Sequence, residues 1–156
     1  MTDTPIIEYE LIRESSKYIR IIDVRREDDY KAGHIKNSVN LPLAKLLNDD
    51  SVENIAKIAG ELGISDSTPV VIYDDTFGAL SSRVVWALQY IGHSDVKLLN
   101  VTFSQWKELG LEITTKVPKI EKSTHSIKIQ SDIMATADYL EKVKDKKNVV
   151  IIDNRE

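Results

Sequence analysis

Apolar residues along this chain come in two rhythms. Short β-branched runs, Tyr18–Arg25, Val70–Tyr73 and Val96–Leu99, alternate with stretches whose apolar positions recur every three or four residues, as Leu80, Val84, Leu88 and Ile91 do. Runs of the first kind read as strands buried on both faces, and stretches of the second kind as helices. In chain order, the pattern predicts a brief extended entry and a short helix over residues 6–14, then a strand ending on Asp23. A short helix over 26–32 is expected to close with Gly33 in a left-handed position, and Ser38–Pro42 follows as a strand stopped by proline. Asp50-Ser-Val-Glu53 has capping-box spacing and opens a helix to Leu62, closed by Gly63. The strand at 70–73, a helix over 79–91 ended by Gly92, the strand at 96–99 and a second capping box, Thr102-Phe-Ser-Gln105, complete the series. Strands alternating with helices in this way predict an α/β fold, a parallel sheet with helices on both faces.

From Thr114 to Thr124 the pattern lapses into a polar stretch broken by Pro118, which reads as a linker. A helix over 131–144 is expected next. Asn148-Val-Val-Ile-Ile-Asp-Asn-Arg155 then repeats the style of Tyr18-Ile-Arg-Ile-Ile-Asp-Val-Arg25, with the two Ile-Ile-Asp-x-Arg segments 130 positions apart. A repeat at domain length that shows only its opening elements predicts the start of a second copy. The expected organisation is a domain over 1–115, a linker over 116–125 and the opening of a second domain over 126–156.

Composition narrows the function. The 156 residues carry a net charge of −4 with Lys and Arg scattered, which argues against nucleic acid as a partner. No apolar run approaches the ~20 residues that cross a bilayer, and the first ten residues lack the basic and apolar segments of a signal peptide. A cytoplasmic location without membrane contact is therefore expected. Zero cysteines exclude disulfides, thiolate metal sites and thiol catalysis within these residues.

The stretch Val70–Arg83 is where a site is expected, because a strand there stops at two carboxylates and feeds a helix. Ligands of open α/β sheets bind at the carboxyl ends of strands, and a loop entering a helix offers free N–H groups to an anion. Asp74 and Asp75 stand at that loop with no lysine or cysteine, so the sequence predicts an anion cradle that is built but unloaded. Two adjacent carboxylates are read as helix caps in preference to a phosphoacceptor or metal pair. Asp23 is expected to hold loop amides and Arg25 to tie neighbouring loops. His34 and His93, each after a glycine, are assigned turn-stabilising or solvent roles, not metal ligation. A receiver-like phosphoacceptor reading of Asp74 lacks the acidic pair and lysine in the required order.

Ile21-Ile-Asp-Val-Arg25, Tyr30-Lys-Ala-Gly-His-Ile-Lys-Asn-Ser-Val-Asn-Leu-Pro42, Val70-Val-Ile-Tyr-Asp-Asp75, Arg83, Gly92-His93 and Trp106 together resemble the rhodanese family. The resemblance extends over residues 5–115 and is strongest to the first half of tandem thiosulfate or 3-mercaptopyruvate sulfurtransferases. It implies that Asp74 occupies the position of the family's persulfide cysteine, as in the non-catalytic first domain. It implies structural loop roles for Asp23, Arg25, Asp75 and Arg83, no metal and no cofactor. Arg155 matches an arginine that contributes to the anionic substrate site of the second domain. The implied partners are a small anionic sulfur donor and the second rhodanese domain; cyanide is an expected sulfur acceptor. The alternative is a non-catalytic rhodanese-like regulatory or binding module. Asn100-Val-Thr-Phe103 departs from the family's pair of glycines, so that turn is expected to be built differently. A thiol placed at position 74 is expected to titrate at or above its ordinary value, with Asp75 beside it. The apolar tail around Val149–Ile152 is expected to dock or to mediate self-association.

Overall fold

A computed structural model describes residues 5–15 and 18–153. Strands β1 (Ile6–Ile7), β2 (Arg20–Asp23), β4 (Ser38–Asn40), β5 (Val70–Tyr73) and β6 (Val96–Leu99) form one parallel sheet in the order β1-β6-β5-β2-β4. β3 (His34–Ile35) and β7 (Ile113–Thr114) make a separate antiparallel pair. Alternation along the central strands divides the interior into two cores. Ile22, Val70 and Ile72 face helices α3 (Leu43–Leu47), α4 (Val52–Glu61) and α5 (Ser81–Tyr90). Ile21, Val71 and Tyr73 face α1 (Tyr9–Ser15) and α6 (Phe103–Glu108). The remaining helices are α2 (Glu27–Ala32) and α7 (Ala137–Val143). Helices thus cover both faces of the parallel sheet, and the fold is α/β. Among the described residues no helix is long and apolar enough to cross a membrane.

Local chemistry places the helix ends, with some shifts from the sequence reading. Thr102 and Gln105 form a reciprocal capping box at α6. At α4 the cap is Ser51, not Asp50; its hydroxyl accepts the Asn54 amide, so Glu53 stands one position too early to close a box with it. Gly33 is not left-handed: its φ of 162° is extended, because the chain runs straight from α2 into β3 while the Gly33 carbonyl accepts from Arg25. The turn at Asn100 is built by that side chain, which accepts the Tyr9 amide at 2.9 Å and donates to Glu8, tying β6 to α1.

The stretch read as a linker lies against the fold as a strap. The Ser123 amide donates to Gly60, Lys128 to Ile91 and Gln130 to Tyr90, all through backbone carbonyls at 2.8–2.9 Å. Two glycines make room for it. A Cβ on Gly60 would sit 2.6 Å from the Ser123 carbonyl oxygen, and one on Gly92, whose φ is +99°, would sit 2.6 Å from that of Lys128. Trp86 adds an indole hydrogen bond to the Ile133 carbonyl.

Beyond the strap, the expected helix over 131–144 divides into a 3-10 turn, Ser131–Ile133, and α7, which starts where the Thr136 hydroxyl accepts the Tyr139 amide. The expected strand at 149–152 is absent. Among the described residues no strand pairs with it, and Val150 and Ile152 are each 82% exposed. Docking of that apolar run on the fold therefore does not occur, although the preceding strap is docked.

Candidate functional site

β5 delivers Asp74 to the carboxyl end of the sheet, and the loop before α5 closes around its side chain. One carboxylate oxygen accepts the amides of Thr76 and Gly78, both at 3.0 Å. The other accepts the Leu80 amide at 3.0 Å, and the Ser81 amide and hydroxyl at 2.9 Å. Wrapping the loop this tightly puts Phe77 at a φ of 54°, with the residue 85% exposed. The cradle is therefore not unloaded, as the sequence reading had it: the anion inside is the protein's own carboxylate. Burial pushes the Asp74 carboxyl up, but the amides of Gly78, Ser81 and Thr76 and the Ser81 hydroxyl outweigh that and hold it below the ordinary range.

Asp75 turns the other way. Its carboxylate accepts the Ser104 amide and hydroxyl, both at 2.8 Å, across the first turn of α6. The Asp74 carbonyl also accepts the Phe103 amide at 2.9 Å, so the end of β5 and the start of α6 are locked together.

Asp23 and Arg25 form a buried unit next door. Asp23 accepts from the Arg25 amide, Nε and Nη2, and from the Tyr73 hydroxyl at 2.6 Å. Arg25 Nη2 also donates to the Gly33 carbonyl at 2.8 Å, and its guanidinium lies 3.6 Å from the centre of the Phe103 ring. Burial alone would lower the Arg25 pKa, but hydrogen bonding and charge from Asp23 raise it overall. Burial, then the Asp23 charge, pushes the Tyr73 phenol well above its ordinary value. The Tyr30 phenol, on α2, is pushed up to about 12, by burial and then by Asp23. Arg83 lies outside this cluster: it pairs with Asp50 at 3.2 Å and stacks near Trp86. Arg155 falls outside the described residues.

A cleft of about 430 Å³ opens beside these loops, lined among others by Arg25, Arg26, Asp75, Thr76, Phe103 and Lys107. Asp74 does not line it, and Arg25 is engaged by Asp23 and Gly33 through Nε and Nη2. Among the described residues the loop supplies no thiol, and the amides that converge on position 74 are taken by its own carboxylate. Among the described residues no group of three or more His, Asp or Glu is placed to hold a metal. Neither His34 nor His93 faces solvent: His34 stacks on Tyr30 at 3.7 Å and bonds its carbonyl, while His93 meets His125. Sequence reasoning missed Ser81, Ser104 and Phe103. Each lies inside a recognised stretch, Val70–Arg83 or Thr102–Gln105, but its role depends on how the loops fold back.

Comparison with known proteins agrees with this geometry. The model of the rhodanese-like domain matches residues 8–109. The chain is 29% identical over 147 residues to the sulfur carrier protein TtuD of Thermus thermophilus, covering 85% of this chain and 51% of that protein. It is 35% identical over 108 residues to a probable 3-mercaptopyruvate sulfurtransferase of Schizosaccharomyces pombe, covering 66% of this chain and 36% of that protein. The chain thus spans about half or less of the length of these relatives. Its fold superposes on the crystal structure of SseA from Escherichia coli with a TM-score of 0.85 and 20% identity, over 98% of this chain and 66% of that one.

Proposed function

Since the chain belongs to the rhodanese family, we propose that it is the non-catalytic, structural half of a tandem sulfurtransferase whose persulfide cysteine stands in a second domain. That second domain would open at about residue 126, after a first domain over 1–115. In the whole protein the missing thiolate would attack the outer sulfur of thiosulfate, releasing sulfite, or the thiol sulfur of 3-mercaptopyruvate, breaking its C–S bond and releasing the pyruvate enolate, which takes up a proton; either attack forms a persulfide. An acceptor such as cyanide would then take the sulfane sulfur as thiocyanate and return the thiolate. Arg155 would help to hold the donor's negative charge through paired N–H groups.

The observation that carries this reading is the Asp74 carboxylate seated in the loop where an active family member holds its cysteine. Two further features support it: the fraction of its relatives' length that the chain spans, and the apolar residues Val150, Ile151 and Ile152, which stand exposed for want of a sheet. The test is a cyanide-dependent thiocyanate assay with thiosulfate on the 156-residue chain and on the natural polypeptide. The chain alone should give no turnover above buffer, and the natural polypeptide should be longer and active. Turnover by the cysteine-free chain would end the persulfide reading. A natural product that stops at Glu156 and is inactive would favour a binding module instead.

A further inference from the structure

Strap docking buries two imidazoles that the loop chemistry does not use. His93, 1% exposed, follows α5; His125, 7% exposed, lies mid-strap. They form an unbroken chain of contacts: the Thr68 carbonyl to His93 Nε2 at 2.9 Å, His93 Nδ1 to His125 Nε2 at 3.0 Å, and His125 Nδ1 to the Ser126 carbonyl at 2.6 Å. Both ends are carbonyl oxygens, which only accept. Three gaps therefore need three N–H groups, whereas two neutral imidazoles carry two. A neutral pair leaves one gap with lone pair against lone pair. A doubly protonated pair sets N–H against N–H in the middle gap. One extra proton, and only one, closes all three.

The surroundings suit a single charge. Asp66 lies 3.7 Å from His125 Nδ1, and its carboxyl is held below the ordinary range by the Ser126 hydroxyl and amide that it accepts at 2.5 and 2.7 Å. Lys128, on the strap, acts on Asp66, and Asp95 acts on His93. From α4, Glu53, Lys57 and Glu61, with Lys122 of the strap, line the hollow beside His125 and nearly balance one another. Burial, then the neighbouring His125, holds His93 below its ordinary value, so His93 suits the neutral, accepting role at Nδ1.

We propose that the strap is a proton-operated latch, in which docking of residues 120–130 requires the His93–His125 pair to hold one proton. This rests on the strap geometry and is independent of the sulfurtransferase reading. Its pH dependence follows from linkage. The docked pair holds one proton, while two free imidazoles of pKa about 6.5 hold two well below that pH and none well above it. Below about pH 6.5 the undocked state therefore binds more protons, and above it the docked state does. Docking is strongest near pH 6.5 and falls about eightfold by pH 8 and again by pH 5. The strap carries the chain into residues 131–153, so the latch governs how firmly that segment is held.

The test is hydrogen exchange of the Lys128 and Gln130 amides in the full chain from pH 5 to 8, corrected for intrinsic rates, with the Ile72 amide as the core reference. Protection of the two strap amides should trace a bell centred near pH 6.5, while Ile72 stays level. Nitrogen-15 spectra of the imidazoles at pH 6.5 should show His93 neutral with its proton on Nε2 and His125 doubly protonated. His125→Gln retains a donor toward His93 and cannot titrate, so it should remove the alkaline limb of the bell and leave only the acid limb set by His93. If that variant releases the strap at every pH, the wild-type bell and imidazole spectra decide. A flat or one-sided wild-type profile, or two neutral rings at pH 6.5, would overturn the proposal.

Discussion

Replacing Asp74 by alanine should destabilise the protein by about 3–5 kcal/mol. The carboxylate takes four backbone amides and one hydroxyl, and a buried donor left without its acceptor costs about 1–3 kcal/mol. The total falls short of the sum because water can reach part of the emptied loop. Urea unfolding measures the loss. Asp74→Asn should recover little of it, since its amide nitrogen would face N–H donors. The same carboxylate also contributes to acid sensitivity. Its folded pKa is lowered, so its contribution is fully present above the unfolded value of about 3.9 and disappears as pH falls through the folded one. Wild type should therefore lose stability more steeply than Asp74→Ala below about pH 4, and the gap between the two curves should narrow there.

Asp74→Cys should give a thiol that titrates at about pH 6–7, against about 8.5 for an ordinary cysteine. From the sequence, Asp75 beside the sulfur was expected to raise the value. In the folded protein that carboxylate is turned to Ser104, and the groups that converge on position 74 are N–H donors, which favour a thiolate. Thiolate absorbance against pH reads the value directly. Efficient sulfur transfer should not follow, because position 74 does not line the cleft in which Arg25, Arg26 and Lys107 stand, and Arg25 is held there by Asp23 and Gly33. A thiol at or above pH 8.5 would mean that the loop opens when the carboxylate is removed.

The sheet and its covering helices were legible because buried parallel strands and amphipathic helices leave periodic signatures, as in Val70–Tyr73 and in the spacing of Leu80, Val84, Leu88 and Ile91. The capping box at Thr102 was legible because it is local. What failed was long-range. Gly33 does end α2, but in an extended and not a left-handed conformation, because its carbonyl answers to Arg25, eight positions away. The strap looked like a linker because polar residues can dock through backbone carbonyls without any apolar pattern. A glycine inside α4, Gly60, was the available signal, since in mid-helix it costs about 1 kcal/mol relative to alanine and so marks a close approach. Asp74 and Asp75 looked equivalent in sequence. Only the fold separates them, sending one into its own loop and the other to α6. The run at 149–152 has a strand's composition but no strand beside it, and composition alone does not make a ladder.

The central claim is that the loop after β5 holds its own anion and so has no room for a substrate's. The most direct test is a carbon-13 titration of the Asp74 carboxyl, with amide shifts of Gly78 and Ser81 recorded alongside, with and without millimolar thiosulfate. The carboxyl should titrate below about 3.9, the Gly78 and Ser81 amides should move at the same pH, and thiosulfate should leave them unshifted at pH 7. An ordinary carboxyl titration with unresponsive amides, or thiosulfate shifting those amides at pH 7, would contradict it.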